Sequence, residues 1–454
     1  LAIFVVSAFG VPKPWPIMAG ETLVSLFDGF LSRSAESDFV MYSIWKRDKE
    51  WVKQRLIDAH VLKPICLPLI FDHAVRQGWL DELVYLPNGF GLDLTALAHA
   101  EGYLDLQEWA RRNADRSNEM ARTLLQFLMI KANFELNYQR PPEGQPPVKA
   151  STPLQVKTVH ALLQILEEWL PKTPVPELII VQRTCITMYP RLINYGEGFD
   201  DIIDANGRDG NALPPAANAK MEEHYKKMYS DEIQVRDVVQ ILERYKRSRD
   251  PLDQDIFACM IHGLFDEYAH YVDYPLEALA TTAVLFGGII SHRLISDLPL
   301  QIGLGMILEA VRDHHPDEPM FKFGLQALMQ LFGRLREWPG FCQQLLQVPG
   351  LQGTEAWKKA EEVVREHEEE LARQRNGAGS AHSGGAGNDN KLANGNADDG
   401  TGSEQHYPPF ASVNVDPPPP GVVYEDPSEE VQGKVQFVLH NLTDKTMKTS
   451  SKEL

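Results

Sequence analysis

Cys259 and His262 stand one helical turn apart, a spacing at which a thiolate and an imidazole could ligate a metal or work as nucleophile and base. Two ligands without a second pair do not make a zinc site, and the run Ile256-Phe257-Ala258-Cys259-Met260 reads as helix core, so both residues are expected to be structural. Asp266 and Glu267 are adjacent carboxylates, but neighbouring helical positions point about 100° apart and cannot converge on one substrate atom. His314-His315-Pro316 offers two imidazoles in a turn with no third ligand near. Asp204 to Asn211 superficially resembles a calcium loop, yet Arg208 takes the fifth ligand position and the distal glutamate is missing. No G-x-x-x-x-G-K-S/T, G-x-S-x-G or H-E-x-x-H pattern occurs, and Gly303-Leu304-Gly305 lacks both a third glycine and a preceding strand. No catalytic residue, metal or bound cofactor is expected, and the chain is read as a non-enzyme.

A second kind of chemistry is molecular recognition. Phe265, Tyr268, Tyr271 and Tyr274 crowd one short stretch, and positions 264, 268 and 271 share a helical face that 265 borders. Core packing is one reading. The other is an apolar groove that receives the short amphipathic helix of a partner.

The elements that must carry these residues read as helices in series, because apolar residues recur at helical spacing and the breaks fall at Pro and Gly clusters. Helices are predicted over 39–58, with Ser37 or Asp38 as N-cap and Val40, Ile44, Trp45, Val52, Leu56 and Ile57 inside, and over 68–85, with Leu69, Ile70 and Ala74 inside. Further helices are predicted over 92–100, 106–112, 116–138 and 154–170, and the chain turns at Pro190-Arg191-Leu192-Ile193. The Gly-, Asp- and Asn-rich stretch from 196 to 217 reads as a solvated linker. A second helical domain follows from 218 to 375, with Gly287-Gly288 placed where a neighbouring helix could approach closely. Its last helix, over 355–374, is so charged that it is expected to project into solvent. Residues 376–425 are expected to be disordered, and 426–454 to begin a further helical domain. The fold class is all-α: a HEAT-like α-solenoid of two helical domains, 21–195 and 218–375.

Composition narrows the function classes. With 43% hydrophobic and 24% charged residues the chain has ample material for packed cores, and its formal charge of -19 argues against a broad phosphate-binding face. No direct nucleic-acid contact is expected, although a helical repeat binding RNA directly is the alternative reading. The basic residues Lys226, Lys227, Arg236, Arg244, Lys246, Arg247 and Arg249 are expected to be solvated helix faces. Four well-separated cysteines without a C-x-x-C pair fit a reducing compartment. No apolar run is long enough to span a membrane. Leu1 to Val11 is apolar without the basic region of a signal peptide, so 1–20 reads as an uncertain leader and the whole as an internal piece of a larger protein.

Several ordered motifs carry a family resemblance: Leu264-Phe265-Asp266-Glu267-Tyr268, Tyr274-Pro275, Leu285-Phe286-Gly287-Gly288-Ile289-Ile290, Phe323-Gly324, and Arg334-Leu335 to Trp338-Pro339 with Phe341-Cys342. Together they resemble the large Not scaffold subunit of the CCR-NOT deadenylase complex. Residues 218–375 are similar to the module that receives a helical peptide from the RNA-binding protein tristetraprolin in animal relatives. The preceding region resembles the end of the family's N-terminal HEAT arm, and the stretch from about 420 resembles the entry to its central domain. The resemblance implies a scaffold in mRNA deadenylation, mRNA decay and translational repression, cytoplasmic and also nuclear. The implied partners are other subunits of the complex and adaptor RNA-binding proteins carrying short helical motifs. A deadenylase and a DEAD-box helicase would bind through the central domain, of which only the start is present. The aromatic face and the matching motifs make Phe265, Tyr268 and Phe323 the candidate peptide-binding residues.

Overall fold

The computed structural model describes residues 17–32, 38–141, 144, 146–170 and 176–379, with side chains omitted at 17–20, 22 and 374–379. The expectations for 1–16 and for 380–454, including most of the disordered segment and the start of the further domain, lie outside the described residues. The first region contains α1 (Ile17–Leu31), α2 (Asp38–Arg47), α3 (Lys49–Leu62), α4 (Leu67–Gln77), α5 (Leu80–Leu83), α6 (Gly89–Ala100), α7 (Leu106–Arg112), α8 (Ser117–Gln139), α9 (Val156–Trp169) and α10 (Pro176–Met188). Then come α11 (Asp200–Asn206), α12 (Pro215–Tyr229), α13 (Val235–Lys246), α14 (Pro251–Asp266), α15 (Leu276–Ser291), α16 (Asp297–Arg312), α17 (Pro319–Met329), α18 (Pro339–Leu345) and α19 (Glu355–Gly379). No strand occurs among the described residues, as an all-α stack requires.

Local chemistry sets where the helices break. The single helix expected over 39–58 is two, because the Asp48 backbone leaves the helical region (φ -155°, ψ 76°) and its carboxylate accepts the Trp51 N–H at 3.0 Å, capping α3. The helix expected over 68–85 ends at Gly78, whose φ of 71° is the left-handed conformation that closes α4. Leu69, expected inside, is exposed, while Leu67, Ile70 and Ala74 are buried. Prolines at the first turns of α14, α17 and α18 mark the starts of those helices, where a missing N–H leaves no donor unpaired.

Two other expectations are corrected. The connector from 196 to 217 is not simply solvated: it contains α11, buries Ile203 and Asn211, and ties back through Asn211 Nδ2, which donates to the Leu154 carbonyl at 3.1 Å. The charged helix α19 does not project freely, because Ala356, Ala360 and Val363 form a buried stripe at i, i+4 and i+7 that docks its first half. The acidic residues off that stripe, Glu355 and Glu361 in the first half and Glu368 to Glu370 in the second, face water.

Residues on both sides of the connector belong to one compact unit. Arg191, in the 3-10 turn Pro190–Ile193, donates to both carboxylate oxygens of Asp255 on α14, at 2.8 and 3.0 Å, with both side chains buried. Arg183 of α10 makes a second two-pronged pair with Glu309 of α16. Asn194 donates to Gln254 Oε1 at 2.8 Å.

Gly287 does what its position suggested. A Cβ there would run into the Ala327 carbonyl oxygen and lie 2.7 Å from Gln330 Cβ, so α15 and the end of α17 approach backbone to backbone. In Gly287→Ala, helix propensity favours the variant by about 1 kcal/mol. The clash opposes it by about 1–3 kcal/mol, and a rigid backbone oxygen puts the contact at the upper end. Urea unfolding should show net destabilisation, whereas Gly333→Ala, where nothing lies within 4 Å of an added Cβ, should leave the midpoint unchanged.

Candidate protein-docking face

The residues weighed for catalysis do not converge. Cys259 Sγ lies 3.0 Å from Asn218 Oδ1, whereas His262 Nε2 meets the Thr187 carbonyl at 2.9 Å, so the pair serves two different packing contacts. Burial pushes the Cys259, Cys185 and Cys342 thiols up to about 12, far from a reactive thiolate. Asp266 pairs with Arg140 at 2.9 Å and Glu267 accepts from the Tyr274 hydroxyl, so the two carboxylates diverge. His315 faces Asp317 at 3.4 Å. No group of three or more potential metal-binding side chains occurs among the described residues.

A cleft of about 180 Å³ opens between α6, the extended stretch near 149–155 and the loop after α11, with Asp93, Lys149, Arg208 and Asp209 among apolar residues on its walls. Beside it the buried Lys131 ammonium donates to Asp93 Oδ1 at 2.8 Å, to Ser151 Oγ at 2.6 Å and to the Thr152 carbonyl. All three of its protons are used. This arrangement staples α6 and α8 to the extended stretch rather than offering a charge to a ligand.

The candidate recognition residues do come together. Phe265, near the end of α14, lies 5.8 Å from Phe286 of α15, and Phe286 lies 5.6 Å from Phe323 of α17. Tyr268 and Tyr271, in the 3-10 turn Glu267–Asp273, meet Phe323 edge-on at 6.2 and 5.1 Å. The cluster is the centre of a helical layer: Phe265 is 7% and Phe323 1% exposed. These two rings support a surface from beneath, and Tyr268, half-buried, reaches its rim. Its hydroxyl donates to the Met306 carbonyl at 2.8 Å, and burial, then Glu309, pushes its pKa above the usual phenol value. Tyr268→Phe should therefore cost about 1 kcal/mol through the lost hydrogen bond and leave the ring packing intact, measurable as a small shift in the urea midpoint.

The outward side of the cluster carries residues that helical periodicity alone does not single out. Tyr229 ends α12 and is 39% exposed, its hydroxyl 2.8 Å from Thr282 Oγ1 of α15. The Tyr274 ring lies tilted against Tyr271 at 5.1 Å, and its own hydroxyl is pushed up to about 12 by burial and by Tyr229 and Glu267 beside it. Val272 and Leu276 stand mostly in water. The signal for Leu276 was present in the sequence: an apolar residue directly after Pro275 sits in a first helical turn, where the side chain has no preceding turn to cover it.

Comparisons with known proteins place both helical regions in one family. Residues 20–167 match the family "CCR4-NOT transcription complex subunit 1 HEAT repeat" and residues 195–374 match "CCR4-NOT transcription complex subunit 1 TTP binding domain". The chain is 32% identical over 351 residues to General negative regulator of transcription subunit 1 of Schizosaccharomyces pombe, a match covering 75% of this chain and 16% of that protein. The protein of the same name in Saccharomyces cerevisiae is 36% identical over 199 residues, covering 42% of this chain and 9% of its own length. CCR4-NOT transcription complex subunit let-711 of Caenorhabditis elegans is 29% identical over 125 residues, 27% of this chain and 5% of that one. The solved N-terminal domain of the yeast Not1 superposes with a TM-score of 0.62 at 25% identity, covering 76% of this chain and 63% of that structure. The chain thus spans a minor part of the length of these full-length relatives.

Proposed function

The chain belongs to the family of CCR4-NOT transcription complex subunit 1, and from that premise we propose that it is a non-catalytic scaffold segment that holds partner proteins within a CCR4-NOT complex acting on mRNA. The observation that carries this reading is the continuous helical stack, which aligns over its two successive regions with two successive regions of one scaffold subunit. The pairing across α10, α14 and α16 supports a stiff arm on which binding faces keep fixed spacing. Adaptor RNA-binding proteins would dock as short helices on the layer formed by α12 to α17, over the cluster that contains Phe265, Tyr268 and Phe323. The consequence would be deadenylation, decay and translational repression of the bound messages, in the cytoplasm and also in the nucleus.

Purification of the tagged chain from cells, with quantitative mass spectrometry, tests the assignment. Recovery of CCR4-NOT subunits together with RNA-regulatory proteins is expected, and recovery of no complex subunit would overturn it. A parallel titration of the purified chain with fluorescent poly(A) RNA should show no binding at physiological salt. Tight binding that falls steeply with salt would instead support direct RNA recognition.

A further inference from the structure

The cleft beside Lys131 has an apolar floor and a charged rim. Leu67 and Leu154 are buried in its floor, and Leu97 and Ala100 of α6 are half-buried beside them. Four exposed charged side chains stand around the opening: Lys149 and Arg208 of one sign, Glu101 and Asp209 of the other. None of the four is engaged in an ion pair or side-chain hydrogen bond among the described residues. Asp93 on the inner wall is already held, by Lys131 at 2.8 Å and by His60 Nε2 at 2.9 Å, so recognition falls to the rim. A bare anion would meet two carboxylates there and a bare cation two basic groups, whereas a zwitterion answers both pairs. The volume of about 180 Å³ is close to that of an apolar cavity that takes benzene and well below that of a site for a drug-sized molecule, so the occupant is small.

We propose that this cleft binds a free α-amino acid with an aliphatic side chain. The side chain covers the floor at Leu97 and Leu154, the carboxylate is met by Lys149 and Arg208, and the ammonium is met by Glu101 and Asp209. Such an occupant touches α6, the extended stretch and the loop after α11 together. It therefore adds to the bond from Asn211 to the Leu154 carbonyl in holding the connector against the first helical region. The site stands apart from the scaffold reading and gives the stack a small-molecule input at the segment that joins its two regions.

Isothermal titration of the full chain with leucine, isoleucine, valine and methionine tests it, alongside three truncated forms of leucine. Leucine should bind saturably and raise the unfolding midpoint. Isocaproate, which lacks the ammonium, isoamylamine, which lacks the carboxylate, and glycine, which lacks the side chain, should each bind about tenfold more weakly or worse. Leucine affinity should fall about tenfold in Lys149→Gln/Arg208→Gln and again in Glu101→Gln/Asp209→Asn, both surface changes that keep the unfolding midpoint of the free chain. Ala100→Phe, which fills the cleft from its edge, should abolish binding, and the two charge variants decide the matter if that variant fails to fold. No binding of any of the four amino acids would overturn the proposal. So would isocaproate or isoamylamine binding as tightly as leucine, since the cleft would then select one charge or none. Leucine affinity unchanged in all three variants would place the amino acid elsewhere and remove the site. A leucine peptide blocked at both ends that binds the cleft more tightly than leucine would make the occupant a partner's chain and overturn the free amino acid.

Discussion

Asp255→Ala is expected to lower the unfolding free energy by about 3–5 kcal/mol. The carboxylate it removes is buried and holds Arg191 through two parallel hydrogen bonds, and after the substitution the guanidinium keeps only the Gly210 carbonyl at 3.1 Å. Arg191 itself is 2% exposed, so water cannot take over the missing contacts without opening the packing. The loss falls at the point where α10 and the turn after it meet α14. The variant should therefore unfold in two steps, with 200–379 separating from the preceding helices before either melts. Urea titration followed by both tryptophan fluorescence and far-UV circular dichroism measures this. Coincident transitions within about 1 kcal/mol of the parent would mean that the pair does not join the regions. A paired Arg191→Met/Asp255→Leu variant should recover most of the loss, because two apolar groups of similar size leave no charge unpaired.

That junction shows which parts of the fold are legible in the amino-acid sequence. The helical series was readable because each buried stripe repeats locally, as in Val156, Val159, Leu162, Leu163 and Leu166 of α9, all buried as the spacing predicts. The close approach at Gly287 was readable because adjacent glycines in an apolar run have few other uses. The folding of the connector was not: Asp204, Asn206, Gly207 and Gly210 are turn residues, and what orders them is Asn211 bonding to Leu154 and Ile203 packing inward, contacts made far along the chain. The docking of α19 was hidden for a related reason, since its contact stripe is two alanines and a valine among many charges. In the candidate site, periodicity identified which aromatics gather but not their depth. A stripe at 264, 268 and 271 looks the same whether α17 covers it or leaves it open, and Phe323 is the residue that covers it.

For that reason Phe323→Ala should act on binding only through the fold. The ring is 1% exposed and contacts Tyr268, Tyr271 and Phe286, so its removal leaves a cavity worth about 3–5 kcal/mol. Tyr271 loses its edge-on neighbour and with it the support under Tyr274, whose ring leans on it at 5.1 Å. Hydrogen exchange should then rise across 264–275 at temperatures where α3 to α9 stay protected, and any peptide affinity of this face should weaken in proportion to that opening. Phe323→Leu, which keeps most of the volume, should restore both protection and binding. A contact residue would behave otherwise: its truncation would abolish binding while exchange and unfolding midpoint stayed at the parent's values. If Phe323→Ala costs less than about 1 kcal/mol and still removes binding, the ring touches the partner directly and α17 must move aside to admit it.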